Sequence, residues 1–174
     1  VYKLWLPHPA STLFAYFIGF YILLLCLRIN PWLSIIGAIA FAFSSYFIII
    51  IEAGHTSKTY AIGYMAPILG GLIQALRGNL KLGFILIAVF TAAQVYVNHL
   101  QISYYLFFIL LAVWSVELVH HFKTKKLKSF FNRTLFIGIA AILGILPNLG
   151  PLLVTYEYSK VSTRGGSEIT VSPE

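Results

Sequence analysis

Six apolar runs of 16 to 20 residues, at about 10–27, 32–51, 61–76, 82–97, 102–119 and 134–153, follow one another with short polar turns between most of them. Runs of this length match or approach the roughly 20 residues a helix needs to cross the hydrocarbon of a bilayer. In hydrocarbon a helix satisfies its own backbone N–H and C=O groups, and an open strand or loop does not. The pattern predicts an all-α fold. It is a polytopic transmembrane helical bundle of about six spans over residues 1–153, followed by an extracytoplasmic segment over 154–174. Charged residues make up 10% of the chain, against about 25% in soluble domains, so there is too little charge to cover a water-facing surface. The chain begins at Val1 and ends without a stop-like feature, and we expect an internal fragment of a longer polytopic protein.

The turns are legible to different degrees. Asn30-Pro31 ends the first run, because the residue before proline disfavours the helical conformation. Arg77-Gly78-Asn79-Leu80-Lys81 is a plain turn. Residues 82–119 lack Pro throughout and lack Gly after Gly83. As one helix they would run about 57 Å at 1.5 Å per residue, roughly twice the hydrocarbon thickness. A break at Asn98-His99-Leu100-Gln101 is therefore expected. Pro147 and Pro151 are expected to kink or stop the last run. Pro67, near Gly63, Gly70 and Gly71, is the candidate position for a discontinuous helix.

Charge orients the bundle. With the basic segment 120–133 in the cytoplasm, the inner loops become 28–31, 77–81 and 120–133. These hold Arg28, Arg77, Lys81, Lys123, Lys125, Lys126, Lys128 and Arg133, which is 8 of the 12 Lys and Arg residues. Basic inner loops are what the positive-inside rule expects. The same rule explains the net charge of +7 without a nucleic-acid partner. Segments 52–60, 98–101 and 154–174 then fall outside. The lone Cys26 sits in an apolar run and reads as a packing residue.

This topology puts most polar side chains other than Lys and Arg on the outer side. Glu52, His55 and Lys58 are spaced i, i+3, i+6 and would share a face of a helical turn. Glu52 would act as a base or ion partner, His55 would donate to a phosphate, and Lys58 would neutralise one. The plainer alternative is a structural Glu52–Lys58 pair with His55 solvated. Gln94, Asn98, Gln101 and Tyr105 lie at i, i+4, i+7, i+11, a polar stripe that serves either a ligand or interhelical hydrogen bonds. His99 adjoins it. His8, His55 and His99 as a metal set match no known spacing, so neither a metal nor another cofactor is indicated. In the tail, Tyr156 and Tyr158 would stack on a sugar ring, and Arg164 beside two glycines would approach a phosphate. The alternative is an ordinary loop.

Three stretches carry a resemblance. Glu52-Ala-Gly-His-Thr-Ser-Lys-Thr59, Val97-Asn-His-Leu-Gln-Ile-Ser-Tyr-Tyr105 and Thr155-Tyr-Glu-Tyr-Ser-Lys-Val-Ser-Thr-Arg-Gly-Gly-Ser-Glu-Ile-Thr170 resemble, in order, the YfhO family of bacterial membrane proteins, in the form seen in Bacteroidetes. That family is placed among GT-C-type glycosyltransferases. The resemblance implies a GT-C-like bundle in the bacterial inner membrane, taking a sugar from a polyprenyl-phosphate-linked donor to a cell-envelope polymer. Its partners would be the bilayer, the donor and the acceptor. The acid such enzymes carry in their first outer loop has no counterpart here, since the chain has no Asp. Glu52 is the one catalytic candidate the chain offers. His55, Lys58, Asn98, His99, Gln101, Glu157, Tyr158 and Arg164 are the implied donor-binding residues. Two other readings stay open. One is a transporter or flippase core for a lipid-linked or small polar substrate. The other is a non-catalytic assembly subunit.

Overall fold

A computed structural model describes residues 6–161 of the chain. Among them it is all-helical, with eight α-helices and no strand. In order these are α1 (Ala10–Cys26), α2 (Pro31–Ala42), α3 (Ser45–Glu52), α4 (Thr56–Arg77), α5 (Leu80–Tyr96), α6 (Leu100–Lys123), α7 (Leu127–Ile145) and α8 (Leu149–Val161), with a 3-10 turn at Leu146–Asn148.

The helix ends follow from local chemistry. Asn30 caps α2, its side-chain oxygen accepting from Trp32 N at 2.9 Å, with Pro31 in the first turn. Asn79 caps α5 in the same way, accepting from Lys81 N and Leu82 N. Arg28, Gly54, Asn98 and Lys125 all have φ between 50° and 75° and follow α1, α3, α5 and α6. This left-handed residue just past the helix end reverses the chain in a few residues. The α5–α6 break thus needs neither Gly nor Pro. Asn98 takes the left-handed position that asparagine tolerates, and His99 then caps α6.

Small residues set the helix contacts. Gly63 lies against Ala15, and Gly70 against Leu23 and Cys26, so α1 and α4 run in the same direction. Gly71 against Ile87 and Gly83 against Ala75 make α4 and α5 antiparallel. Gly144 against Ala88 and Thr91 joins α7 to α5. Close approach at small residues is how helices pack where water supplies no hydrophobic drive. About 72% of the apolar window of α4 is buried, against 17% for α6, so α4 is the centre and α6 a peripheral helix. The outward face of α6 carries Tyr104, Phe107, Phe108 and Phe122.

Three helical segments are long and apolar enough to cross a membrane: α4, α6 and the continuous Leu127–Tyr158 stretch. A fourth is counted if α2 and α3, bent by 47°, form one span. The 17-residue helices α1 and α5 are apolar but shorter. Six spans are reached only if both of these cross as well.

Three expectations differ from the structure. The run 32–51 is not one helix; it breaks at Phe43-Ser44, where Ser44 is extended and the Tyr16 ring stacks on Phe47 at 4.3 Å inside the elbow. Pro67 does not break α4. The Gly63 carbonyl four residues before it, which Pro67 cannot serve, faces Gly19 of α1. Pro147 and Pro151 do not stop the last run either. Pro147 lies in the 3-10 turn and Pro151 in the first turn of α8, where a missing N–H is tolerated. The helical course therefore continues past residue 153, through α8.

Candidate functional sites

The chain direction gathers the starts of α1, α4 and α6 at one end of the bundle and their C-termini at the other. They are called here the His55 end and the Arg77 end.

At the His55 end, Tyr60 and Ala61 of α4 pack with Ala15, Val97 and Ile102. That cluster brings the α3–α4 turn beside the α5–α6 turn. Tyr60 also donates its hydroxyl hydrogen to Ser11 Oγ at 2.8 Å, tying in α1. The N-termini of α1, α4 and α6 thus share this end with the C-termini of α3 and α5, so backbone dipoles of both signs meet here. His55 is the N-cap of α4 and makes no side-chain capping bond. His99 caps α6, its Nδ1 accepting from Ile102 N at 3.4 Å, which leaves Nε2 to carry the proton of the neutral ring. Lys58 Nζ sits 5.6 Å from the centre of the Tyr46 ring, within cation–π range.

The named side chains do not act as a unit in the way their spacing predicted. Glu52 ends α3, Gly54 turns the chain at φ 75°, and His55 opens α4, so Glu52, His55 and Lys58 do not share one helix. Glu52 and His55 are exposed. Among the described residues there is no Glu52–Lys58 ion pair. The polar stripe is also divided. Gln94 is buried on α5 and donates to Ser103 Oγ at 3.2 Å. Asn98 Nδ2 donates to Thr155 Oγ1 at 3.0 Å. Gln101 Nε2 donates to the Tyr105 hydroxyl at 3.0 Å. Two of these are the interhelical bonds weighed against a ligand role. The Asn98–Thr155 bond brings α8 to this end, where Glu157 and Tyr158 are exposed. Arg164 lies outside the described residues. Among those described, no group of three His, Cys, Asp or Glu residues is placed to hold a metal ion, and His8, His55 and His99 form no such group.

The Arg77 end is more tightly built. The buried Glu117 carboxylate, 3% exposed, is paired with Arg77 through Nε at 2.6 Å and through Nη2. His121 Nδ1 lies 2.8 Å from the Glu117 backbone oxygen and 4.0 Å from its Oε2. Arg133 Nη1 donates to the carbonyls of Ala75 at 2.7 Å and Gly78 at 3.2 Å, closing the C-terminus of α4. Trp114 Nε1 donates to Thr134 Oγ1 at 3.1 Å and stands over Phe130. Sequence reasoning assigned this network no role. Its signal was Glu117, the single acid within the run 102–119.

No family model matches the chain, and neither a curated protein nor a solved structure matches it.

Proposed function

We propose that this chain is part of a membrane glycosyltransferase of the GT-C type. It would transfer a sugar from a polyprenyl-phosphate-linked donor to an extracytoplasmic cell-envelope acceptor in the bacterial inner membrane. The observation that carries the reading is the packing of Tyr60 and Ala61 on Val97 and Ile102. It sets the turn that carries His55 and Lys58 beside the turn that carries Asn98, His99 and Gln101, at the starts of α4 and α6, whose first N–H groups favour negative charge locally. A lipid-linked phosphate needs cationic and N–H donors at the membrane boundary and an apolar surface for its tail. The order of the three YfhO-like motifs supports the same reading.

In such a reaction an acceptor hydroxyl oxygen bonds to the sugar's anomeric carbon as the bond from that carbon to the phosphate oxygen breaks. The hydroxyl proton goes to a base, and the lipid phosphate leaves with the electron pair. Lys58, His55 and His99 Nε2–H would stabilise the charge that gathers on the leaving phosphate. Asn98 and Gln101, with the exposed Glu157 and Tyr158 of α8, would contact the sugar, and Arg164 would approach a phosphate. Glu52 is tested as the base by Glu52→Gln. The test is made on the intact protein in cells, with the sugar content of the envelope polymer read by mass spectrometry. His55→Ala and Lys58→Ala are expected to abolish the glycosylation at unchanged expression. Unchanged glycosylation in both variants would remove their proposed roles.

A second reading, a transporter core, is favoured by the α2–α3 elbow. Transporters place binding sites at broken helices within the membrane. The buried hydroxyls of Thr12 and Tyr16 have no hydrogen-bond partner among the described residues, and Tyr16 lies in that elbow. Loss of substrate uptake in Tyr16→Phe, with envelope glycosylation intact, would favour it.

A further inference from the structure

The Arg77 end holds two polar cavities that the donor site does not use. One, of about 260 Å³, lies between the ends of α1 and α4 and is lined by Arg28, Gln74, Arg77 and Gly78 with apolar neighbours. The other, of about 370 Å³, lies between α4 and α6 and is lined by Arg77, Glu117, His120, His121, Thr124 and Lys126 among others. Arg77 is common to both. Each cavity is several times the roughly 30 Å³ that a water molecule occupies in the liquid, which leaves room for a phosphodiester.

We infer that the cleft on either side of Arg77 binds the phosphate of an anionic phospholipid headgroup. Three observations carry this. First, the lining of the two cavities is net positive: together they hold Arg28, Arg77 and Lys126 and one carboxylate, Glu117, already engaged by Arg77. Second, Arg77 is held but not used up. Its Nε and Nη2 both go to Glu117 Oε1, Nη1 has no hydrogen bond among the described residues, and the side chain is 57% exposed. A guanidinium fixed on one edge presents its remaining N–H groups in a set direction, which suits a phosphate oxygen. Third, the C-termini of α1, α4 and α6 meet here, and bare carbonyls would repel an anion. Several are already occupied. Gln74 Nε2 donates to Cys26 O at 3.1 Å, Arg133 covers Ala75 O and Gly78 O, and the Thr124 hydroxyl donates to His120 O at 3.0 Å. The site also lies at the border of apolar helix surface, where Val116 and Phe122 are exposed. Acyl chains would lie against that surface while the headgroup met the basic cleft.

The test is thermal unfolding of the intact protein in neutral detergent, titrated with phosphatidylglycerol, phosphatidylcholine or inorganic phosphate. Phosphatidylglycerol at about 100 times its half-saturating concentration is expected to raise Tm by roughly 5 °C. The other two probes should give little. Arg28→Gln/Lys126→Gln, which changes two exposed side chains of the lining, should keep the lipid-free Tm and weaken the phosphatidylglycerol response at least tenfold. Lys123→Gln/Lys128→Gln removes the same charge from the same end outside both cavities and should respond like the wild type. The inference is overturned by an equal response to inorganic phosphate or phosphatidylcholine. It is also overturned by a wild-type response in Arg28→Gln/Lys126→Gln, or by an equal loss in Lys123→Gln/Lys128→Gln.

Discussion

The two ends of the bundle use much the same side-chain types, an acid, a basic residue and histidines within a few residues of helix termini, and treat them differently. At the Arg77 end the acid is buried, the cation is bound to it, a histidine is drawn in beside it, and a second arginine closes α4. At the His55 end Glu52 and His55 are exposed, and Lys58 rests over an aromatic ring rather than against a carboxylate. An ionised group taken out of water has to be paired, and the Arg77 end meets that condition within the protein. Exposed and unpaired groups near helix N-termini contribute little to folding and remain available to a ligand. The contrast therefore divides residues that hold the bundle from residues open to a partner.

The sharpest way to break this division is Arg77→Ala. It leaves the Glu117 carboxylate buried and uncompensated, and a loss of about 3–5 kcal/mol is expected, read as a large drop in Tm. Glu117→Ala should cost clearly less, because the freed Arg77 is already more than half exposed. Equal losses would mean that the pair is not the support described. Next comes Arg133→Ala, which removes two charge-assisted bonds from the α4 C-terminus, worth about 1.5–3 kcal/mol by the same measurement. At the other end Tyr60→Phe removes the bond to Ser11 and should cost about 1 kcal/mol. Tyr16→Phe removes a buried hydroxyl with no hydrogen-bond partner among the described residues and should leave stability unchanged or slightly raised, as seen in resistance to unfolding by denaturant. Smallest of all, His55→Ala and Glu52→Ala should stay within about 0.5 kcal/mol of the wild type, although both lie in the stretch with the densest polar chemistry.

Sequence made some of this plain and hid the rest for physical reasons. The α5–α6 break was legible from length and charge alone, since a helix through Asn98 would overrun a membrane and invert the basic loops. The elbow at Phe43-Ser44 was not, because hydrophobicity runs on through it without Gly or Pro, and it takes the Tyr16 ring from another helix to fill the bend. α8 was missed because prolines read as stops, whereas Pro151 lands in a first turn where its missing N–H has no consequence. The residue types at the His55 end were readable. Their arrangement was not, because the i, i+3, i+6 spacing assumes one helix and Gly54 turns the chain between Glu52 and His55. The Arg77–Glu117 pair joins residues 40 positions apart in sequence, and nothing local to either one announces the other.

The division between the two ends is tested most directly by measuring Tm and the proposed envelope glycosylation together for Lys58→Ala and Arg77→Ala in the intact protein. The account predicts that Lys58→Ala keeps the wild-type Tm and loses the glycosylation, while Arg77→Ala loses several degrees of Tm. A Lys58→Ala protein as destabilised as Arg77→Ala, or one that is stable and still glycosylates the envelope polymer, would contradict it.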